Sequence, residues 1–163
     1  MRLFILVLLV GATPLAAHVK KLSDFELTDQ NLQTRSYRFP KAKVTVMTVA
    51  DHKGSGELAP WIQRLHDRYQ KKIDIDGVAD VSNIPKPLRN LFRASFRKQL
   101  SYSVMLDWEG TVVKQLAYKK GVANLYVVDC TGRVQKQVTG PVNDDAEHEL
   151  AREIDRAITE TRQ

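Results

Sequence analysis

The chain has 163 residues, 43% of them hydrophobic, and a formal net charge of +6. This length suits one globular domain with a single core, and we find no internal repeat or low-complexity tract. The basic residues are spread along the chain, which favours a solvated basic surface over nucleic-acid binding. The one cysteine, Cys130, excludes an internal disulfide, so the core alone has to stabilise the fold.

The N-terminus has the order of a secretory signal peptide. A basic start at Met1-Arg2 precedes an apolar run over residues 3–10, and small residues follow up to Ala17. The run is shorter than the roughly 20 apolar residues that a membrane span needs. We therefore expect cleavage after Ala17, a mature domain of residues 18–163 and no transmembrane segment. An uncleaved N-terminal anchor is the alternative.

The first half of the mature chain predicts a hairpin and then a strand–loop–helix unit. Residues 24–27 alternate polar and apolar, and residues 34–39 can pair back on them. Residues 44–50 are β-branched and apolar on both faces, as in a buried central strand. A polar loop follows, and residues 56–70 have apolar side chains at helical spacing. The buried face of that helix is expected to carry Leu58, Trp61, Ile62, Leu65 and Tyr69.

The second half predicts further alternation of strands and helices. Residues 73–78 and 102–106 indicate strands, and residues 88–96 indicate a helix between them. That helix is expected to turn four apolar side chains inward, namely Leu88, Leu91, Phe92 and Phe96. Residues 111–118 are ambiguous between helix and strand.

The chain is expected to end with a hairpin and a helix. Residues 123–128 and 133–139 are strand-like and flank a turn at Asp129-Cys130-Thr131-Gly132. A helix begins near Asp144 and should bury Ala146, Leu150, Ile154 and Ile158.

Three arginines in and directly after the predicted 88–96 helix, Arg89, Arg93 and Arg97, are four residues apart. On a helix they share one face. We expect this face to be solvated, with contact to an anionic membrane or polyanion as the alternative.

This order of elements indicates an α/β protein, and several motifs carry a more specific resemblance. Residues 44–65 resemble the strand, active-site loop and first long helix of the thioredoxin-like redoxin family. Glu57-Leu58-Ala59-Pro60 is similar to the Glu-Leu-Pro after its redox cysteines, and residues 121–129 are similar to its strand Gly-Val-Pro-Thr-Thr-Phe-Leu-Ile-Asp. The resemblance covers residues 24–158 and implies a central mixed β-sheet flanked by helices.

Two departures from that family fall on its functional positions. The cysteine positions align with Asp51 and Gly54, or with His52 and Ser55 after a one-residue shift. The cis-proline position aligns with Ala123, where a cis bond costs about 3–4 kcal/mol, so we expect a trans peptide. Their joint loss predicts a redox-inactive member. Within the superfamily the chain is most similar to the YtfJ-like exported proteins, which implies a bacterial periplasm.

The leading hypothesis is therefore a periplasmic binding or accessory protein. Its partner would be a protein or small ligand, with no cofactor, no metal site and no catalytic residue expected. The expected contact surface is Asp51, His52, Lys53, Gly54, Ser55, Gly56, Ala123 and Asn124. One alternative is a thiol-disulfide or peroxide oxidoreductase that uses Cys130 as a single thiol. The other is metal or anion binding at the 51–56 loop.

Overall fold

A computed structural model of the chain describes residues 20–161. The predicted signal peptide lies outside these residues, so its presence and cleavage remain predictions. Between residues 20 and 161, no helix has the length and apolar character that crossing a bilayer requires.

The described residues form a seven-stranded mixed sheet. Its strands in chain order are β1 (Phe25–Asp29), β2 (Thr34–Tyr37), β3 (Thr45–Ala50), β4 (Asp74–Asp80), β5 (Val104–Asp107), β6 (Asn124–Val128) and β7 (Val134–Thr139). Their spatial order is β2-β1-β5-β4-β3-β6-β7. Strands β3, β4 and β5 are parallel, and the flanking pairs β1–β2 and β6–β7 are antiparallel hairpins. Both predicted hairpins are confirmed.

Three α-helices of the described part flank this sheet. They are α1 (Leu58–Tyr69), α2 (Arg89–Gln99) and α3 (Asp144–Thr161). Helix α1 connects the parallel strands β3 and β4, and α2 connects β4 and β5. Such parallel pairs need a crossover connection of this kind. The α/β class predicted from the order of elements is confirmed.

The core is divided between the two faces of the sheet. On one face, Val46 of β3 and Leu125 of β6 pack against Trp61 of α1 and Ile154 of α3. On the other, Met47 and Val49 of β3 pack with residues of the 110–122 segment, such as Val112 and Leu116. Strand β3 is buried along its whole length, as its unbroken apolar pattern predicted.

Helices α1 and α3 bury faces close to those predicted. Trp61, Leu65 and Tyr69 of α1 are buried, whereas Leu58 and Ile62 are half-buried. The Trp61 indole N–H donates a 2.9 Å hydrogen bond to the Gly140 carbonyl, which satisfies a polar group inside the core. In α3 the buried side chains are Leu150, Ala151, Ile154 and Ala157.

Helix α2 contradicts the predicted orientation. The expected inward residues Leu88, Leu91 and Phe92 are 44%, 68% and 39% exposed, and of the predicted face Phe96 packs on the core beside Trp108. The apolar periodicity located the helix correctly. It predicted the wrong face because periodicity does not report which neighbouring surface is available to cover that face.

The prediction that the arginine face of this helix is solvated is also wrong in part. The guanidinium carbons of Arg89 and Arg93 lie 5.2 and 5.6 Å from the centre of the Trp108 ring. Arg89 also donates a 2.8 Å hydrogen bond to the Glu109 carboxylate. These two arginines therefore cover Trp108, and α2 is turned so that much of its apolar face points away from the domain.

The ambiguous segment 111–118 forms consecutive turns, neither a strand nor a regular helix. The buried Asp107 carboxylate organises it by accepting hydrogen bonds from the amides of Thr111, Val112 and Val113. The Asp107 side chain thus satisfies the first amides of the segment, and backbone hydrogen bonds within the turns satisfy those of Lys114, Gln115 and Leu116.

Candidate functional site

An aspartate stands at the end of each of the three parallel strands. Asp51 directly follows β3, Asp80 ends β4 and Asp107 ends β5. The register pairs Ala50 with Ala79 and Asp80 with Asp107, so the three carboxylates lie along one edge of the sheet. Ligands of α/β proteins gather at this edge. Sequence reasoning singled out Asp51 and missed Asp80 and Asp107, although an acid after each apolar strand was a readable signal.

The Asp51 carboxylate holds the loop over residues 51–57 closed. Its two oxygens accept hydrogen bonds from the amides of Gly54 (2.9 Å) and Gly121 (2.8 Å), and its carbonyl accepts one from the Ser55 amide. Burial by itself would raise the pKa of the Asp51 carboxyl. The amide hydrogen bonds and the Lys120 ammonium outweigh burial and lower that pKa below its usual value.

Gly54 allows the loop to approach the 121–123 segment very closely. A Cβ atom at this position would lie 2.3 Å from the Val122 carbonyl oxygen, well inside any normal contact. The residue is buried and starts a short 3₁₀ turn, Gly54–Glu57, that leads into α1. Glycine is therefore required here by backbone contact and not by loop flexibility.

Glu57 joins the same two segments from the start of α1. Its carboxylate accepts a 2.9 Å hydrogen bond from the amide of Ala123, the residue aligned with the family's cis-proline. Within residues 20–161 the cis peptide is Phe39–Pro40, so the bond between Val122 and Ala123 is trans as predicted. The Ala123 amide is thus engaged inside the protein.

Asn124 has a structural part in this edge. Its side-chain amide donates to the carbonyls of Lys119 (2.8 Å) and Val122 (3.0 Å), and its oxygen accepts from the Lys119 amide. Asn124 and Ala123 are both 0% exposed. They support the loop from inside the protein, and their side chains are not accessible to a binding partner.

Two buried polar atoms at this edge have no hydrogen-bond partner among the described residues. They are one carboxylate oxygen of Asp80 and the hydroxyl of Tyr118. Burial, with the negative charges of Asp51 and Asp80, raises the pKa of Tyr118. Tyr118 is therefore a neutral hydroxyl at physiological pH, able to donate a hydrogen bond but not to act as an anionic nucleophile.

The exposed side of the edge is basic. His52, Lys53, Ser55 and Gly56 are exposed, as are Lys119 and Lys120 of the neighbouring segment. We call these six residues the loop surface. The acids beneath it, Asp51 and Glu57, face inward to backbone amides. The arrangement presents positive charge on a loop that is held by several hydrogen bonds.

The structure separates Cys130 from this edge. Strand β6 runs from Asn124, paired with Val49, to Val128, paired with Thr45, so the 129–132 turn lies at the opposite end of the sheet. The five residues of β6 span about 16 Å. The Cys130 sulfur is 3.4 Å from the Thr161 hydroxyl and is half-buried. A thiol reaction at Cys130 would therefore be independent of the 51–56 loop.

The geometry of the loop does not favour metal or anion binding. In the part of the chain that the structure describes, no three His, Cys, Asp or Glu side chains converge as metal ligands. The amides of Gly54 and Ser55, which could hold an anion at the helix start, already donate to Asp51. The carboxylate and the backbone carbonyl of Asp51 thus accept the hydrogen bonds that an external anion would need.

A large polar cleft of about 580 Å³ lies elsewhere, between β2 and the first residues of β4. Its central ammonium, Lys41, is 3.2 Å from Asp74 and 3.6 Å from Asp76. The Tyr37 hydroxyl donates to Asp76, and burial together with that carboxylate raises the pKa of Tyr37. The two carboxylates of this cleft are thus paired within the protein, and the cleft lies away from the carboxyl ends of the parallel strands, where the candidate site is.

Comparison with known proteins supports the fold. No protein-family model and no curated protein sequence matches the chain. Among solved structures, it is similar to the pneumococcal exposed lipoprotein thioredoxin Etrx1 from Streptococcus pneumoniae, at 19% identity and a TM-score of 0.64, covering 80% of this chain and 99% of that one.

Two further structures show the same likeness. A thiol:disulfide interchange protein of the thioredoxin family from Chlorobium tepidum has 16% identity and a TM-score of 0.58, covering 87% of this chain and 98% of that one. BsSco, a member of the Sco family of cytochrome c oxidase assembly proteins, has 15% identity and a TM-score of 0.59, covering 87% and 95%. The chain therefore has a thioredoxin-like fold. At such identities the likeness carries no activity across.

Proposed function

We propose that this protein is an exported, redox-inactive thioredoxin-like domain of the YtfJ-like type, which acts in the periplasm as a binding or accessory protein. The fold and the signal-peptide pattern over residues 1–17 support this proposal. The observation that carries it is the composition of the 51–56 loop, together with its close contact with residues 121–123. The positions that align with a redox dithiol hold Asp51 and Gly54, or His52 and Ser55, and none of these residues is a cysteine. The loop is also hydrogen-bonded to residues 121–123.

The same contacts argue against a substrate entering between the two segments. Gly54 is in backbone contact with Val122, and the Ala123 amide is already bonded to Glu57. A peptide that needed this amide would have to displace a charged acceptor, and a hydrogen bond to a charged group contributes about 1.5–3 kcal/mol. Binding is therefore expected on the outer side of the loop, where side chains are free.

The loop surface suggests the chemistry of the partner. His52, Lys53, Lys119 and Lys120 are exposed, and the nearby carboxylates are turned inward. We propose an acidic protein segment as the partner, because charge complementarity steers association and sets specificity. Such binding should weaken with salt, since the screening length falls from about 10 Å at 0.1 M to about 3 Å at 1 M.

Redox inactivity is tested with insulin-reduction and peroxide-consumption assays on residues 18–163. We expect no turnover above buffer for the wild type or for C130S. Turnover in the wild type that C130S abolishes would replace the proposal with the single-thiol enzyme. Turnover that survives C130S would overturn both.

Partner binding is tested by pull-down from periplasmic extract. The variant H52A/K53A removes two exposed side chains of the loop surface, and K71A/K72A is a control with exposed lysines outside that surface. We expect a protein that is retained by the wild type and the control but lost from H52A/K53A. A partner retained equally by all three would move binding away from this surface.

Export is tested by fractionation of cells that express the full chain with a C-terminal tag. We expect a periplasmic product that begins at His18. A cytoplasmic, full-length product would contradict the proposed localisation, and a membrane-bound product of full mass would support the uncleaved anchor.

A further inference from the structure

Helix α2 leaves an apolar face without a covering element. Leu88, just before the helix, is 44% exposed, and Leu91 and Phe92 on its first turns are 68% and 39% exposed. Leu91 and Phe92 lie three and four positions after Leu88, so the three residues form one stripe along the helix. Large apolar side chains grouped in this way on a water-facing helix mark an interaction surface.

Basic residues flank this stripe, and acidic residues are absent from the segment. Between Asp80 and Asp107 the sequence has five basic residues and no acidic residue. Arg89 and Arg93 cover Trp108, which leaves Lys86, Arg97 and Lys98 exposed beside the stripe. The stripe and these three cations together are the α2 surface.

Two more large apolar side chains are exposed, one of them shortly after α2 in the chain. Tyr102, 53% exposed, follows the end of α2, and Leu32, 60% exposed, lies in the turn between β1 and β2. Gln30 of that turn donates to the Tyr102 carbonyl and accepts from the Val104 amide. These hydrogen bonds hold the β1–β2 turn against the segment that follows α2.

We propose that the α2 surface docks on an anionic lipid bilayer, with Leu91 and Phe92 inserted at the level of the headgroups. An amphipathic helix with leucine and phenylalanine on one face and lysine and arginine beside it binds such an interface in this way. The bilayer supplies both an apolar layer and negative charge. The proposal is independent of the loop surface and goes beyond the proposed function.

The charge distribution distinguishes a bilayer from a second copy of the chain. A symmetric dimer would bring the α2 surfaces of both copies together, so the cations Lys86, Arg97 and Lys98 of one copy would lie near those of the other. The segment between Asp80 and Asp107 has no acid to pair with them, and Glu109 just beyond it is already paired with Arg89. Like charges in a desolvated interface are unfavourable. Anionic headgroups remove this repulsion, and each basic residue near such a surface contributes favourably.

The experiment is co-sedimentation of residues 18–163 with lipid vesicles at about 0.1 M salt. One vesicle preparation contains phosphatidylcholine with phosphatidylglycerol, and the other contains phosphatidylcholine alone. We expect binding to the anionic vesicles that is at least about tenfold stronger than to the neutral ones.

Two variants separate the apolar and charged parts of the surface. L91S/F92S removes the inserting side chains, and we expect it to weaken binding about tenfold or more, because their burial drives insertion. K86A/R97A/K98A should weaken binding to anionic vesicles about a hundredfold. The control K71A/K72A/R152A removes equal charge from exposed positions outside α2 and should bind like the wild type.

Insertion is followed directly with F92W. Its added fluorescence should shift to the blue with anionic vesicles and should be quenched by brominated lipid. Vesicle binding that L91S/F92S leaves unchanged would overturn the proposal, as would equal loss in the control triple variant. Absence of wild-type binding would also overturn it. A concentration-dependent dimer abolished by L91S/F92S, without vesicle binding, would assign the surface to a second copy instead.

Discussion

The change G54A tests the close contact that holds the loop edge together. The added Cβ would lie 2.3 Å from the Val122 oxygen, whereas ordinary contacts begin near 3.4 Å, so the two segments would have to separate by about 1 Å. That separation would break the hydrogen bond from Gly121 to Asp51 and the one from Ala123 to Glu57.

Each of these hydrogen bonds to a carboxylate contributes about 1.5–3 kcal/mol, and partial relaxation recovers some of it. We therefore expect G54A to lower the free energy of unfolding by about 3 kcal/mol. In a domain of this size, that loss lowers Tm by about 6–12 °C. Urea unfolding followed by tryptophan fluorescence measures the first quantity, and a thermal melt followed by circular dichroism measures the second.

Gly56 provides a matched control two residues away. A Cβ there would meet nothing within 4 Å, so G56A should be neutral or stabilise by less than about 1 kcal/mol. If G54A were as stable as G56A, the backbone contact with Val122 would not exist as described. The loop would then not be held closed by this contact.

Three further changes test other parts of the structure. E57A leaves the buried Ala123 amide without its acceptor, so it should cost about 1–3 kcal/mol in urea unfolding. D51N should cost about 1.5–3 kcal/mol at pH 7. The folded-state pKa of Asp51 is lowered, so its carboxylate stabilises the fold above its usual value of 3.8, and the difference from D51N should shrink as pH falls below that value. L91S/F92S alters two exposed side chains and should cost less than about 1 kcal/mol.

Control variants or contradicting outcomes test each of these predictions. D67A removes an exposed carboxylate from α1 and should change stability by less than about 0.5 kcal/mol. If it destabilised as much as E57A, the Ala123 contact would not be special. A D51N difference that grew in acid would contradict the lowered pKa. L65S alters a buried residue and should lower the free energy of unfolding by about 2–5 kcal/mol. An equal loss for L91S/F92S would mean that α2 points its apolar face inward.

Much of the fold was predictable because the signals were local. The apolar run of β3 predicted a buried central strand, and the Asp129–Gly132 turn predicted the β6–β7 hairpin. In that turn the Asp129 carboxylate accepts from the Thr131 and Arg133 amides, and Gly132 has a φ of +91°. Both features depend on residues adjacent in sequence, which is why pattern and turn chemistry sufficed.

The candidate site was only partly predictable because its contacts are long-range. The loop residues 51–56 were found from the resemblance, but the sequence did not show that Gly121 and Ala123 donate to Asp51 and Glu57, about 70 residues away. Ala123 and Asn124 were expected at the contact surface, whereas both are buried. Asp80 and Asp107 were missed although each follows an apolar strand, because their proximity depends on the register of β4 and β5.

By itself the sequence determined the α/β class, the positions of the strands and helices, and the absence of a dithiol from the loop after β3. These follow from residue type and periodicity. The tertiary structure decided that α2 presents Leu91 and Phe92 outward, that Cys130 lies at the far end of the sheet, and that the loop is closed from within. Those features depend on contacts between residues that are distant in the sequence. The sequence does not show which partner an apolar stripe or a carboxylate contacts, because the folded sheet determines which residues lie close together.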